Sequence, residues 1–116
     1  MEETAFNWIK VADYASELVW QENQMCIVEA DGKKITLALK DQQIFAFAHK
    51  CPHASGIMAD GFIDAAGNVV CPLHRYRFSI QNGRNTSGEG YFLRTYPVKE
   101  SENGVYIGFK KNFLGF

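Results

Sequence analysis

Two short segments constrain this chain more than anything else in it: Cys51-Pro52-His53 and Cys71-Pro72-Leu73-His74. In pattern form they read C-x-H, then 17 intervening residues, then C-x-x-H. Each half supplies one thiolate and one imidazole, donors suited to transition metals. Each follows a β-rich run and opens a loop. If all four donors serve one site, the two loops must meet in space, so the fold must bring two separated strand ends together. The three cysteines, Cys26, Cys51 and Cys71, are an odd number. That argues against a disulfide framework and for a metal or redox role.

The donor set admits two metals. Two cysteines and two histidines suit tetrahedral zinc. The order of the ligands points elsewhere, because zinc fingers pair cysteines in one knuckle and histidines in another, whereas each arm here carries one of each. A binuclear [2Fe–2S] cluster explains that order if the cysteines hold one iron and the histidines the other. With two thiolates instead of four, the oxidised centre is close to neutral. It then accepts an electron more readily than an all-cysteine cluster, and its potential lies above the plant-type ferredoxin value. Fully coordinated irons leave no open position, so the expected chemistry is outer-sphere electron transfer.

Elsewhere the chain reads as short strands punctuated by turns. Strands are expected at Trp8–Ala12, Met25–Ala30, Lys34–Leu39 and Ile44–Ala48, with a short helical turn over 14–19. Asp31-Gly32 and Asp41-Gln42 are the turn signals between them. Further strands are expected at Gly61–Asp64 and Asn68–Val70, flanking a turn at Ala65-Ala66-Gly67, and at Arg77–Ile80, Tyr91–Val98 and Val105–Lys110. Such even spacing predicts an all-β fold, an antiparallel sandwich or barrel. There is no internal repeat or linker, so residues 1–116 are expected to form a single domain.

C-P-H followed by C-P-L-H resembles the signature of the Rieske family. The surroundings fit too: Tyr76-Arg77-Phe78 after the second arm, the Asn82-Gly83 turn, and Leu93-Arg94-Thr95-Tyr96-Pro97-Val98. The resemblance is strongest from about residue 44 to 109. It implies two antiparallel sheets with a small cluster-binding subdomain, formed by loops at about 49–60 and 70–80. It also implies that Cys51, His53, Cys71 and His74 hold the [2Fe–2S] cluster.

Departures narrow the subtype. Respiratory members bridge their two loops by a disulfide, and the corresponding positions here are Gly56 and Leu73. Those members also place a serine and a tyrosine to hydrogen-bond the cluster sulfurs; the serine position is Tyr76 here. Fewer hydroxyl donors imply a potential toward the bottom of the Rieske window of roughly −150 to +300 mV. Arg75 stands where most members have glycine. It would put a cation beside the cluster or point to solvent. The loop Gly88-Glu89-Gly90-Tyr91-Phe92 lacks the prolines common in the family's covering loop and is expected to be more mobile.

Remaining features have plainer readings. Cys26 reads as a buried core thiol, and His49 as a strand-end histidine. Trp8, Trp20, Phe45 and Phe47 read as packing residues. The aromatic tail Phe109–Phe116 would fold back over the sandwich or dock a partner. Twelve Lys and Arg against thirteen Asp and Glu give no basic surplus, and so no case for nucleic acid or a membrane surface. No segment approaches the roughly 20 apolar residues of a membrane helix. Met1-Glu2-Glu3 lacks the basic start of a signal peptide. A cytoplasmic location is expected.

The resemblance then implies a small ferredoxin carrying single electrons from a reductase to an oxygenase. The alternative is the small subunit of a larger reductase, such as a nitrite reductase. A structural zinc-binding module is the remaining reading. No substrate site of its own is evident, so the chain is expected to serve as an electron-transfer component.

Overall fold

The computed structural model describes residues 5–111. Ten strands lie in three open antiparallel sheets. The first sheet orders β1 (Phe6–Ala12), β10 (Gly104–Lys110) and β9 (Val98–Ser101) side by side. The second runs β2 (Met25–Ala30), β3 (Lys33–Lys40), β4 (Gln43–Ala48) and β8 (Thr95–Tyr96). The third is small: β5 (Phe62–Ile63), β6 (Asn68–Val70) and β7 (Arg77–Ser79). Short 3-10 turns stand at Ala15–Glu17 and Met58–Asp60. The all-β sandwich read from the sequence is therefore present, without a closed barrel.

The second sheet is the middle layer. Ile35, Leu37, Ile44 and Ala46 face Val105, Ile107 and Phe109 of the first sheet, with Cys26 buried among them. The opposite face presents Met25, Ala38 and Phe47 to Met58, Val69, Phe78 and Leu93 around the ligand loops. Period-2 alternation in β3 suggests a half-buried strand, yet Ile35, Thr36, Leu37 and Ala38 are all buried. A strand covered on both faces has no solvent side, and the small Thr36 and Ala38 let the ligand-loop unit pack close. Thr36 meets its polar requirement by donating its hydroxyl to the Ala48 carbonyl (3.3 Å).

Both turns in this sheet use left-handed backbone. Asp31 (φ 54°) and Gly32 (φ 73°) join β2 to β3; Asp41 (φ 53°) and Gln42 (φ 65°) join β3 to β4. Two positive φ values in a two-residue loop match the right-handed twist of a hairpin. Gln42 is a poor choice there, because its Cβ crowds the backbone. Gln42→Gly is expected to raise stability by about 0.5–1 kcal/mol, the strain relieved less glycine's unfolded-state entropy. Chemical denaturation reads this as a higher midpoint at unchanged slope.

The single strand expected over Tyr91–Val98 is instead two short ones in different sheets. Pro97 divides them, since proline has no N–H to continue a ladder. Its carbonyl accepts from Gly108 N–H (2.9 Å), handing the chain from the second sheet to the first. Residues 91–94 are not a strand; Leu93 N–H donates to the Gly83 carbonyl, and the Arg94 carbonyl accepts from Ala48. Of the tail, Phe109 and Lys110 end β10, and residues 112–116 lie outside the described residues.

Candidate metal centre

The two ligand loops are copies of one turn. Cys51 N–H donates to the Gly56 carbonyl (2.7 Å), and Ser55 N–H to the Cys51 carbonyl (3.0 Å). Cys71 N–H donates to the Tyr76 carbonyl (2.9 Å), and Arg75 N–H to the Cys71 carbonyl (3.0 Å). Ser55 and Arg75 take the left-handed conformation at the same step, φ 60° and 61°. Each loop is closed by an antiparallel pair, Lys50 with Ile57 and Val70 with Arg77. The cysteines are thus equivalent, while histidine comes from the third residue of one turn and the fourth of the other. That difference is the physical content of C-x-H against C-x-x-H.

The cysteines point inward and the histidines outward. Cys51 and Cys71 are 3% and 1% exposed. His53 is half-buried and His74 exposed, with their rings edge-on and 5.0 Å apart. Burial pushes the Cys51 thiol above its ordinary pKa; the His53 N–H aimed at its sulfur opposes this, contact with Cys71 adds to it, and the Ala54 N–H opposes it again. Buried sulfur beside directed N–H groups suits a thiolate whose charge is balanced by metal.

The donor arrangement suits a binuclear cluster. Among the described residues, no three His, Cys, Asp or Glu side chains surround one point where a single ion could sit. Tetrahedral zinc needs four donors around one point. A binuclear cluster asks for only two protein donors at each iron, because its sulfides supply the others. An inner pair of thiols and an outer pair of imidazoles fits that demand.

Residues around the four explain how they are held. Gly56 lies against the other loop: a Cβ there would come 2.9 Å from Cys71 Sγ and 3.0 Å from Leu73 Cγ. The positions where the family resemblance places bridged cysteines are therefore neighbours, and here contact is made by packing. Arg75 occupies a left-handed site, at about 1 kcal/mol of strain. Tyr76 stacks on His53 (centroids 4.4 Å, 28° between planes), with its hydroxyl 3.5 Å from His53 Nε2. Tyr91 packs against both rings, 5.2 Å from His53 and 5.8 Å from Tyr76.

Sequence reasoning missed what positions Tyr91. The Asn85 side chain donates to the Arg77 carbonyl (3.0 Å), Ser87 Oγ (3.2 Å) and Glu89 Oε1 (2.9 Å). Its Oδ1 accepts from the backbone N–H of Glu89 and Tyr91. Hydrogen bonds from Ser87 and, next, Asn85 to the Glu89 carboxylate hold it below its ordinary pKa. This polar hub restrains the loop that lacks prolines. Asn85→Ala should increase amide exchange across 86–91 by about tenfold or more, corresponding to loss of over ~1.4 kcal/mol of local stability. Unchanged exchange would dismiss the hub. The only sequence signal is a loop-forming run, Asn82–Gly90, which says nothing of what Asn85 grips.

A second missed tie joins the layers. Asn23 donates to the carbonyls of Ala59 (2.8 Å) and Gly61 (2.9 Å), and Gln21 to Ala59 (2.9 Å). Asp64 closes the β5–β6 turn by accepting from Ala66 N–H and from the Asn68 backbone and side chain. Burial opposes its ionisation, but the Asn68 and Ala66 bonds and the Arg77 charge outweigh that and lower its pKa. His49 follows β4; its carbonyl accepts from Met58 N–H (2.9 Å), and its Nδ1 is buried with no hydrogen-bond partner among the described residues.

A family model for the Rieske [2Fe-2S] domain matches residues 7–97. The ferredoxin component of the naphthalene 1,2-dioxygenase system of Pseudomonas aeruginosa is 33% identical over 87 residues, 74% of this chain and 83% of the relative. The fold superposes on a chain from the complex of reduced oxygenase and oxidised ferredoxin in carbazole 1,9a-dioxygenase. That match has TM-score 0.74 and 24% identity, covering 91% of this chain and 96% of the other. It also superposes on a structure described as an NADH-dependent nitrite reductase small subunit from Mycobacterium tuberculosis, with TM-score 0.77 and 18% identity, covering 92% and 98%. No helix among the described residues is long and apolar enough to cross a membrane.

Proposed function

Since the chain belongs to the Rieske [2Fe–2S] domain family, we propose that residues 1–116 form a single carrier domain in which Cys51 and Cys71 hold one iron and His53 and His74 the other. The observation that carries this assignment is the pair of matching turns, with thiols inside and imidazoles at the surface. When bound, the cluster takes up one electron and releases it again. The buried cysteine loops would keep water from the iron that Cys51 and Cys71 hold. His53, stacked on Tyr76, and exposed His74 form the short path to a partner.

The proposed role is single-electron transfer from a reductase to an oxygenase in the cytoplasm. The 33% identical relative is such a system's ferredoxin component, and Leu73 (54% exposed) and Tyr91 (40%) offer a small apolar contact beside the histidines. Carriers that must release quickly use small contacts. A reductase small subunit is the second reading, favoured by the superposition at TM-score 0.77. Co-purification with one large subunit would select it. The primary test is iron, acid-labile sulfide and zinc per purified chain. About two irons and two sulfides support the assignment; one zinc without sulfide refutes it.

A further inference from the structure

The charges of this chain are unevenly divided. All four arginines, Arg75, Arg77, Arg84 and Arg94, lie within twenty residues of one another. Residues 49–94, which build the ligand-loop unit, hold five of the 12 cations and three of the 13 anions. The rest holds the remaining seven cations and ten anions. A chain with formal net charge −1 therefore carries its positive excess at the ligand-loop end.

The placement sharpens this. Lys50 and Arg75 are exposed and sit one residue outside Cys51 and His74. Exposed Arg84 pairs through its backbone with Phe92, beside Tyr91. Asp64 pairs with Arg77 (3.3 Å), while Glu89, hydrogen-bonded by the neutral Asn85 and Ser87, keeps its charge; Lys50, Arg75, Arg84 and Arg94 therefore still outnumber the two remaining carboxylates, Asp60 and Glu89. Arg75 adds an independent observation. It holds a left-handed conformation at a turn where glycine would be unstrained, and strained positions cluster where function needs them.

Building on the carrier reading, we infer that the face around His53 and His74 docks an acidic surface on a redox-partner protein, with Arg75 as its main charged anchor. Pro52, Pro72, Leu73 and Tyr91 form the apolar centre and Lys50, Arg75 and Arg84 the cationic rim. Complementary charge of this kind raises encounter rates and selects partners. Opposite charge also discriminates: a basic partner face is repelled where the electron leaves.

Small charged oxidants measure the field at that exit. The reduced holoprotein is mixed in stopped flow with ferricyanide, a trianion, or hexaamminecobalt(III), a trication, over a range of salt concentrations. In each case one electron passes from the cluster to the metal complex and no bond forms. The expected result is a ferricyanide rate that falls with added salt and a cobalt rate that rises. The net charge of the whole chain predicts both opposite signs. Arg75→Gln is expected to lower the low-salt ferricyanide rate about threefold or more, and Arg75→Lys to restore it. Salt effects of the reverse sign on an intact cluster, or an unchanged Arg75→Gln rate, overturn the docking inference and leave the carrier reading standing. A chain that holds no reducible cluster overturns both.

Discussion

Replacing His53 or His74 with serine is expected to abolish the [2Fe–2S] cluster, with iron per chain falling from about two toward zero and the reduced-state paramagnetic signal lost. Serine is shorter than histidine and offers a hydroxyl in place of imidazole nitrogen, so the outer iron loses half its protein donors. Because ligand loops and metal order each other, loss of the cluster should also loosen residues 49–60 and 70–80. The first sheet and the core around Ile35, Leu37 and Ile107 do not depend on the loops, so far-ultraviolet circular dichroism should keep most of its strand signal. Cys26→Ser is the control. Cys26 is buried between the first two sheets, where burial pushes its thiol up to about 11, and it takes no part in the site. That variant should be less stable yet keep both irons. A normal cluster in either histidine variant would refute the ligand assignment.

The largest stability losses are expected at two glycines, Gly61 and Gly83. A Cβ on Gly61 would lie 1.9 Å from the Val70 carbonyl oxygen, one residue before Cys71. A Cβ on Gly83 would lie 1.8 Å from the Leu93 carbonyl oxygen, and its φ of +79° is strained for any L side chain. In each case the obstacle is backbone, which cannot rotate aside as a side chain can. Each alanine variant is expected to cost roughly 3 kcal/mol or more, enough to unfold much of a marginally stable domain. Gly88 is also left-handed at +87°, but nothing stands within 4 Å of its Cβ position. Gly88→Ala should therefore cost only about 1 kcal/mol, from backbone strain alone. Urea denaturation of the three variants separates close approach from strain; equal losses would dismiss the crowding argument.

The charged rim and the ligand turns bear on one another. Arg75 completes the backbone turn that presents His74 and also contributes a cation at its edge. Glycine in its place would relax the turn but remove that cation. Stability and partner selection therefore pull in opposite directions at this residue.

Much of this protein is legible along the chain. Alternation and β-branched content mark β2, β3 and β4, because a strand's two faces see different environments every second residue. Asp31-Gly32 and Asp41-Gln42 mark hairpins, because a tight turn demands local backbone angles that only certain residues take readily. The C-x-H and C-x-x-H segments name the candidate donors, since metal chemistry is a property of side-chain type.

Tertiary structure decided the rest, for one physical reason: the partners are far apart in sequence and no local rule encodes their meeting. Asn23 reaches carbonyls 36 and 38 residues away. Tyr91 finds the ring of His53 across two loops, and β3 is buried on its second face only because the ligand-loop unit packs there. Pro97 divides a strand the pattern leaves whole, since which sheet each half joins depends on Gly108 and Ala46 rather than on its neighbours. The sequence by itself determined which side chains are the candidate metal donors and where the chain turns. Only the folded chain decided that the thiols are buried, that His53 is half-buried and His74 exposed, and that the cations gather around them, because burial and field are sums over residues that folding alone brings together.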